Sequence, residues 1–229
     1  GTPEANHELM LRAYIKKYGI KGEDLSKLEN ALAQVAVKNH ANATKNPFAQ
    51  FQRKISVENV INSRKASHKP LGLFDFAPVS DGSTAVIITN ETVAKTMKTD
   101  PIYVKSCASA RDFLDYSARE DLTHFAATQI AIKKALKNTQ FTPWDMPILE
   151  VNDQSTMMEM VSLEDLGYCQ PGTAWKGINE SYPNEKGCYR FNGKELFVNM
   201  NGALKADGNP LGATGGAQIY EIYRQLTGK

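Results

Sequence analysis

The chain has 229 residues, of which 41% are hydrophobic and 23% charged, and its formal net charge is +2. These values are typical of a globular protein that buries one or two cores, and they exclude a strongly basic or acidic binding module. No run approaches the roughly 18 uninterrupted apolar residues of a membrane span. We therefore expect no membrane span and an intracellular location, in the cytoplasm or in an organelle matrix.

The three cysteines are Cys107, Cys169 and Cys188, too few and too scattered for a disulfide framework. This usage indicates a reducing compartment. Cys169 and Cys188 lack CxxC spacing and nearby histidines, so we expect no zinc or other metal site. Cys107 lies in an apolar stretch and is predicted to pack in the core.

The first 70 residues are predicted to be helical, with amphipathic helices at 7–18 and 26–39 and a short capped helix at 56–63. They hold 12 Lys and Arg against 6 Asp and Glu, a balance of +6, whereas residues 71–229 have a balance of −4. The basic segment is either a solvated face or a patch that attracts a phosphate-bearing ligand. Aromatic residues do not alternate with the charges as in a nucleic-acid groove, so we expect no nucleic-acid partner.

The rest of the chain alternates between apolar β-branched runs and helical patterns. After a turn at Ser80, Asp81 and Gly82, strands are predicted at 85–88, 102–107, 147–151 and 195–200. Helices are predicted at 123–137 and 156–165. This order is typical of an α/β fold with a parallel sheet and right-handed crossovers.

The last strand leads into a glycine-rich loop, 198–216, and then into a helix with Ile219, Ile222, Tyr223 and Leu226 on its predicted buried face. Such a loop is either a tight turn between a strand and a helix or a backbone that approaches a ligand. The helix start offers unpaired N–H groups and the positive end of a dipole, which suit a thioester oxygen, a phosphate or an oxyanion.

The loop reads VNMNGALKADGNPLGATGG and resembles the active-site segment of thiolases, V-N-x-x-G-G-x-x-x-x-G-H-P-x-G-A-[ST]-G. Gly212, Ala213, Thr214 and Gly215 match this pattern, and the resemblance implies that they bind substrate. Asn209 stands where the family has its catalytic histidine.

Other stretches are similar to the sterol-carrier-protein type of thiolase. YGIKGEDL, VAVKNHANATKNPFAQF and ISVENVINSR resemble the loop domain that covers the coenzyme A site. PVSDG resembles the turn beside the pantetheine arm, which implies substrate binding by Ser80, Asp81 and Gly82. The segment at Asn152 is similar to the family's N-E-A-F or H-D-x-F-T motif, and ExxSxEDLG continues the second form. The resemblance implies that Asn152 is catalytic, holding a thioester-activating water; an Asx turn that ends a strand is the alternative.

The resemblance covers nearly all 229 residues but only the middle and later parts of a full thiolase. It implies an α/β, thiolase-like layered fold (αβαβα), incomplete, with a helical loop subdomain. Residues 1–70 are then the loop subdomain over the CoA site, 71–100 the end of the amino-terminal half, and 101–229 the carboxyl-terminal half without its last strands. The family's nucleophilic cysteine and its C-x-G cysteine have no counterparts here, and none of the three cysteines is assigned as a nucleophile.

The activity implied by the resemblance is acyl transfer with acyl-CoA, either Claisen condensation or thiolytic cleavage, although this chain alone is expected to be inactive. Two alternatives stay open: a non-catalytic, acyl-CoA-binding thiolase-like subunit, and a thiolase-like aldolase that acts on a CoA thioester. The expected partners are acyl-CoA, as substrate with no further cofactor, and either a second copy or a complementary thiolase-like subunit. The basic residues predicted to contact the CoA phosphates are Lys38, Arg53, Lys54, Arg64 and Lys65.

Overall fold

The computed structural model describes residues 2–97 and 101–228. In chain order the helices and strands are α1 (Pro3–Lys17), α2 (Glu23–Ala43), α3 (Val57–Ser67), α4 (Glu91–Ala94), α5 (Ala126–Leu136), β1 (Ile148–Leu149), α6 (Thr156–Asp165), α7 (Ala174–Ser181), β2 (Tyr189–Phe191), β3 (Lys194–Val198), α8 (Ala203–Ala206) and α9 (Thr214–Thr227). Residues 98–100, which precede the strand predicted at 102–107, lie outside the described residues, as do residues 1 and 229. No helix of the described part is long and apolar enough to cross a membrane.

The three helices predicted in the first 70 residues are confirmed, with shifted ends. Helix α1 begins after Thr2, whose hydroxyl accepts a hydrogen bond from the Ala5 amide at 3.4 Å. Helix α3 begins with a capping box, because Ser56 and Asn59 each accept the other's backbone N–H, at 3.2 and 2.9 Å. Each cap satisfies an amide that the first turn would otherwise leave unpaired.

Helix α2 lies at the centre of the core. Its residues Leu28, Leu32 and Val35 are fully buried, and the helix packs against α3, α6, α7 and α8. The core continues into α6 and the sheet, where Met160 and Leu196 are also fully buried. Burial of each such side chain contributes about 1.5–3 kcal/mol, so most of the helix stability comes from this packing.

Within residues 2–97 and 101–228 the sheet has three strands, in the order β1-β3-β2. Strand β1 pairs with β3 in parallel, with Ile148 opposite Phe197, which confirms the strands predicted at 147–151 and 195–200 and their parallel orientation. Strand β2 pairs with β3 in antiparallel orientation and was not predicted. The two are joined by Asn192 and Gly193, both with positive φ. Asn-Gly is the preferred dipeptide of a two-residue hairpin turn, so the sequence does contain the signal for this hairpin.

The predicted strands at 85–88 and 102–107 are wrong. Neither segment forms a strand, and Ile87, Ile88 and Val104 are 83%, 81% and 75% exposed. A β-branched run becomes a strand only when a neighbouring strand satisfies its backbone groups, and no other described segment pairs with these two. Cys107 is exposed for the same reason rather than packed in the core.

The predicted buried face of the last helix is also wrong in part. Ile219 and Leu226 are 49% and 57% exposed, whereas the buried positions of α9 are Thr214 and Glu221. The helix therefore turns a polar edge toward the body of the protein and an apolar edge outward. The mixed α/β class is confirmed, and the division at residues 70 and 100 stays a prediction.

Candidate active site

A cleft of about 720 Å³ lies between three stretches of the chain, within 46–50, 79–84 and 207–221. The first stretch contributes Asn46, Phe48 and Gln50, which follow helix α2. The second includes the predicted turn, and the third is the glycine-rich loop with the start of α9. The cleft thus brings together three separate segments that the sequence analysis connected with substrate binding.

The glycines of the loop permit close packing against the turn at 80–84. A Cβ placed on Gly208 would lie 2.8 Å from Ser80 Oγ, and one placed on Gly216 would collide with the Thr84 side chain. In turn, a Cβ on Gly82 would lie 3.0 Å from Pro210. Any larger residue would push the two walls apart, so part of the demand for glycine comes from chain packing rather than from a ligand.

The backbone before the cleft is held in an uncommon conformation. Asn199, Gly202 and Ala203 all have positive φ, of 55°, 109° and 57°. Asp153 stabilises the turn, since its carboxylate accepts the amides of Leu204 at 2.7 Å and of the following residue at 3.3 Å at the start of α8. A carboxylate at this end of a helix also complements the helix dipole.

Beneath the loop lies a fully buried polar network centred on Glu159. Its carboxylate accepts hydrogen bonds from Tyr189 at 2.6 Å, Asn199 at 2.7 Å and Asn39 at 2.9 Å, and it lies 3.3 Å from the Lys38 ammonium. All five residues are buried to 0% exposure. The network connects α2, α6, β2 and the end of β3, so it fixes the base of the glycine-rich loop.

The carboxylate of Asp153 joins this network through Asn39, whose amide donates to it at 2.8 Å. Burial, and next the charge of Glu159, raise the pKa of Asp153 well above its ordinary value, while the backbone amide of Leu204 acts in the opposite direction. Glu159 is the first residue of the ExxSxEDLG motif that follows Asn152, but the motif assigns neither carboxylate a role. Charged residues in a helical sequence pattern usually indicate a solvent-exposed face. Only the tertiary contacts therefore reveal this buried network.

Two of the predicted phosphate-binding residues require correction. Lys38 is fully buried and donates to the Val198 carbonyl at 2.8 Å besides contacting Glu159. Arg64 is 6% exposed and forms a two-pronged ion pair with Asp75, at 2.6 and 2.7 Å. Both cations are engaged inside the protein, so neither is available to a phosphate. Arg53 is exposed, as are Lys54 and Lys65.

The two asparagines predicted to be catalytic lie in different surroundings. Asn152 is exposed, and its side-chain oxygen accepts the Gln154 amide at 3.1 Å, which is the Asx turn of the alternative interpretation. Asn209 is 9% exposed, and its oxygen accepts the Thr214 hydroxyl at 3.4 Å. Neither residue lines the cleft itself, although the neighbours of Asn209, Gly208 and Pro210, do. That both face one thioester pocket stays a prediction.

Of the other residues predicted to bind substrate, some line the cleft and some do not. Ser80, Asp81, Gly82 and Ala213 line the cleft. Gly212 and Gly215 are exposed, and Thr214 is buried against Asn209.

Carboxylates gather at the α9 end of the cleft. Asp207 and Glu221 line it, and the amides of Asn46 and Asn201 donate to the two oxygens of Asp207 at 2.8 and 3.1 Å. Burial first, and then the charge of Glu221, raise the pKa of Asp207 to about 6. Burial and Glu221 also raise the pKa of the partly buried Glu150 to about 8.

Residues 108–229, slightly more than half of the chain, match the family model described as "Thiolase C-terminal domain-like". The chain belongs to the thiolase family. This membership confirms the resemblance inferred from the loop at 198–216 and from the motif that follows Asn152.

Three individual proteins show how far the likeness extends. An acetyl-CoA acetyltransferase from Methanothermobacter thermautotrophicus is 38% identical over 97% of this chain and 54% of its own length. Sterol carrier protein 2 from Gallus gallus is 31% identical over 95% of this chain and 38% of its own length. Among solved structures, an Ltp2-ChsH2(DUF35) aldolase superposes with a TM-score of 0.79 at 22% identity, covering 98% of this chain and 55% of that one, and so shares the fold. The chain thus spans about half the length, or less, of these relatives.

None of the three cysteines of this thiolase-family chain lies in the cleft. Cys107 is exposed in the segment 102–107, which forms no strand, whereas Cys169 is partly buried and Cys188 is buried. Burial raises the pKa of both of these thiols, which disfavours the thiolate that acts as a nucleophile.

Proposed function

We propose that this chain forms the acyl-CoA-binding side of a thiolase-like enzyme of the acyltransferase type, which carries out Claisen condensation or thiolytic cleavage of acyl-CoA. The observation that supports this most strongly is the convergence of 46–50, 79–84 and 207–221 around one cleft. The CoA thioester is the substrate, and the proposal requires no further cofactor.

The start of α9 places the positive end of a helix dipole at the cleft, which suits a thioester oxygen. In the described structure no side chain caps this 14-residue helix, its Thr214 amide donates to the Leu211 carbonyl, and Ala213 before it lines the cleft. Asn209 accepts the Thr214 hydroxyl with its oxygen, which leaves its Nδ2 group as a donor. Donors aimed at a developing oxyanion are the main electrostatic requirement of acyl transfer.

A second candidate function is favoured by Asn209 itself. An amide donates a hydrogen bond but cannot accept the proton of a nucleophile near neutral pH. A site with a hydrogen-bond donor but no base at this position fits a thiolase-like aldolase that acts on a CoA thioester, or a non-catalytic acyl-CoA-binding subunit. Thiolysis of acetoacetyl-CoA would identify the first function, and retro-aldol cleavage of a β-hydroxyacyl-CoA would identify the aldolase.

The proposal predicts that the chain binds coenzyme A with its exposed basic residues. Arg53→Glu, Lys54→Glu and Lys65→Glu, combined, should weaken CoA binding at least tenfold, about 1.4 kcal/mol, because the reversed charges repel the phosphates. The effect should be larger at low salt, where screening is weaker. Isothermal titration calorimetry with coenzyme A measures both.

The matched control is the triple variant Lys133→Glu, Lys134→Glu and Lys137→Glu, which changes the net charge equally at three exposed lysines outside the cleft. Its CoA affinity should remain that of the unmodified chain. Equal affinities for the control and the first triple variant would show that the basic patch is only solvated surface. Absence of CoA binding by the unmodified chain would contradict the proposed function.

The exposed apolar segments predict a protein partner. Ile88, Val104, Phe113 and Leu114 are 63–95% exposed on backbone that lies outside the sheet. Exposed apolar surface of this kind marks an interface or an association hazard. We propose that a complementary thiolase-like segment containing the nucleophilic cysteine covers it, and that the chain alone forms dimers or larger species.

Sedimentation velocity tests this association. Val104→Asp with Leu114→Asp should shift the distribution toward monomer, because a charge in an apolar interface is costly to desolvate. Glu58→Gln, on the exposed surface of α3, should leave the distribution unchanged. If the unmodified chain sedimented as a single monomeric species, self-association would be ruled out.

A further inference from the structure

The carboxylate of Asp207 is the feature of the cleft that the family pattern does not explain. It lies two residues before Asn209, lines the cleft, and is only partly shielded from solvent. Its partners are the neutral amides of Asn46 and Asn201, one on each oxygen. Each carboxylate oxygen has a second acceptor position, so the group holds its place and still has room to accept a proton.

The charges around Asp207 oppose its ionised form. Glu221 faces it from α9, and Asp81 lines the same cleft from the turn. The ion pair of Glu221 with Arg224, at 3.2 Å, compensates Glu221 rather than Asp207. No Lys or Arg lines this cleft among the described residues.

From this geometry we infer that Asp207 is a catalytic base that removes the α-proton of an acyl-CoA bound in the cleft, an inference that rests on the proposed function. The C–H bond breaks as an O–H bond forms on the carboxylate, and the electron pair moves into the thioester as an enolate. The positive dipole end of α9, whose start at Ala213 lines the same cleft, stabilises the negative charge of the enolate. The proton returns to carbon or exchanges with water, so no oxidant or further reactant is needed.

The pKa of the Asp207 carboxyl group suits a base that removes the α-proton. Because burial and Glu221 raise its pKa to about 6, Asp207 is mostly ionised at neutral pH and is a stronger base than an ordinary aspartate. General bases act best when their pKa is close to the working pH. Deprotonation of a nucleophile and deprotonation of the α-carbon are thereby separate roles. Asn209 cannot carry out the first, but Asp207 can carry out the second and so form an enolate in the cleft.

The test is deuterium incorporation into the methyl group of acetyl-CoA in D₂O, followed by NMR with the full chain. The exchange rate should rise with pH through about 6 and then level off, as Asp207 loses its proton. Asp207→Asn should lower the rate at least tenfold without changing acetyl-CoA affinity in calorimetry. Asp207→Glu should restore part of the rate, and Glu58→Gln should match the unmodified chain.

A second variant tests the same idea without removing the base. Glu221→Gln removes a charge that raises the pKa of Asp207, so the pH profile should move to lower pH. An unmoved profile, or undiminished exchange in a folded Asp207→Asn variant, would overturn the inference. So would a lack of exchange by an unmodified chain that binds acetyl-CoA. A chain that binds no acetyl-CoA would instead overturn the proposed function, and this inference with it.

Discussion

Asn209→His should raise acyl transfer at least tenfold in an assembly that supplies the nucleophilic cysteine half. Asparagine at this position donates a hydrogen bond but has no titratable nitrogen, whereas imidazole both donates and accepts a proton near neutral pH. Loss of a general base commonly costs about 10²–10⁴-fold in rate, so restoration of part of that factor is expected. The thiolysis of acetoacetyl-CoA, followed by its loss of absorbance, measures the change.

The matched control is Asn209→Gln, which lengthens the side chain but adds no titratable nitrogen. Asn209 is 9% exposed and contacts Thr214, so crowding alone could change the rate, and the glutamine variant isolates that effect. A gain with glutamine equal to that with histidine would show that size matters rather than proton transfer. High activity of the unmodified assembly, or no gain from histidine, would contradict this interpretation of the site.

Helices could be predicted from the sequence because their signals are local. Ser56 and Asn59 close a capping box within four residues, and α6 occupies the predicted range, Thr156–Asp165. Strand formation has no such local signal, and the strands predicted at 85–88 and 102–107 do not form. A β-branched run indicates only that a segment fits a sheet, and whether it joins one depends on strands elsewhere.

The cleft was partly predictable for a similar reason. The turn at Ser80 and the loop at Gly208 each contain a recognisable motif, and the structure places them in contact. A count of positive charges, in contrast, cannot distinguish a surface lysine from a buried one. Arg53 and Lys38 look equivalent in the sequence, but only Arg53 is exposed, because Lys38 has Glu159 as a buried counter-ion.

Removal of that buried cation should have a large effect on stability. Lys38→Met leaves Glu159 at 0% exposure without its ammonium, with only the hydrogen bonds of neutral groups. An uncompensated buried charge costs about 3–5 kcal/mol in the free energy of unfolding. For a chain of this size each kcal/mol lowers Tm by about 2–4 °C, so we expect a decrease of about 6–20 °C. Urea titration and thermal denaturation, followed by circular dichroism, measure the two quantities.

Two further variants separate this charge effect from a general loss of packing. Lys38→Met combined with Glu159→Gln should cost less than the sum of the single changes, because the double variant no longer leaves residue 159 as an unpaired charge. Lys27→Met removes a lysine from an exposed pair with Glu23 on the same α2 helix, and should change stability far less. If Lys38→Met were as stable as this control, the Lys38–Glu159 pair would contribute little. The base of the glycine-rich loop would then depend on the remaining hydrogen bonds from Tyr189, Asn199 and Asn39.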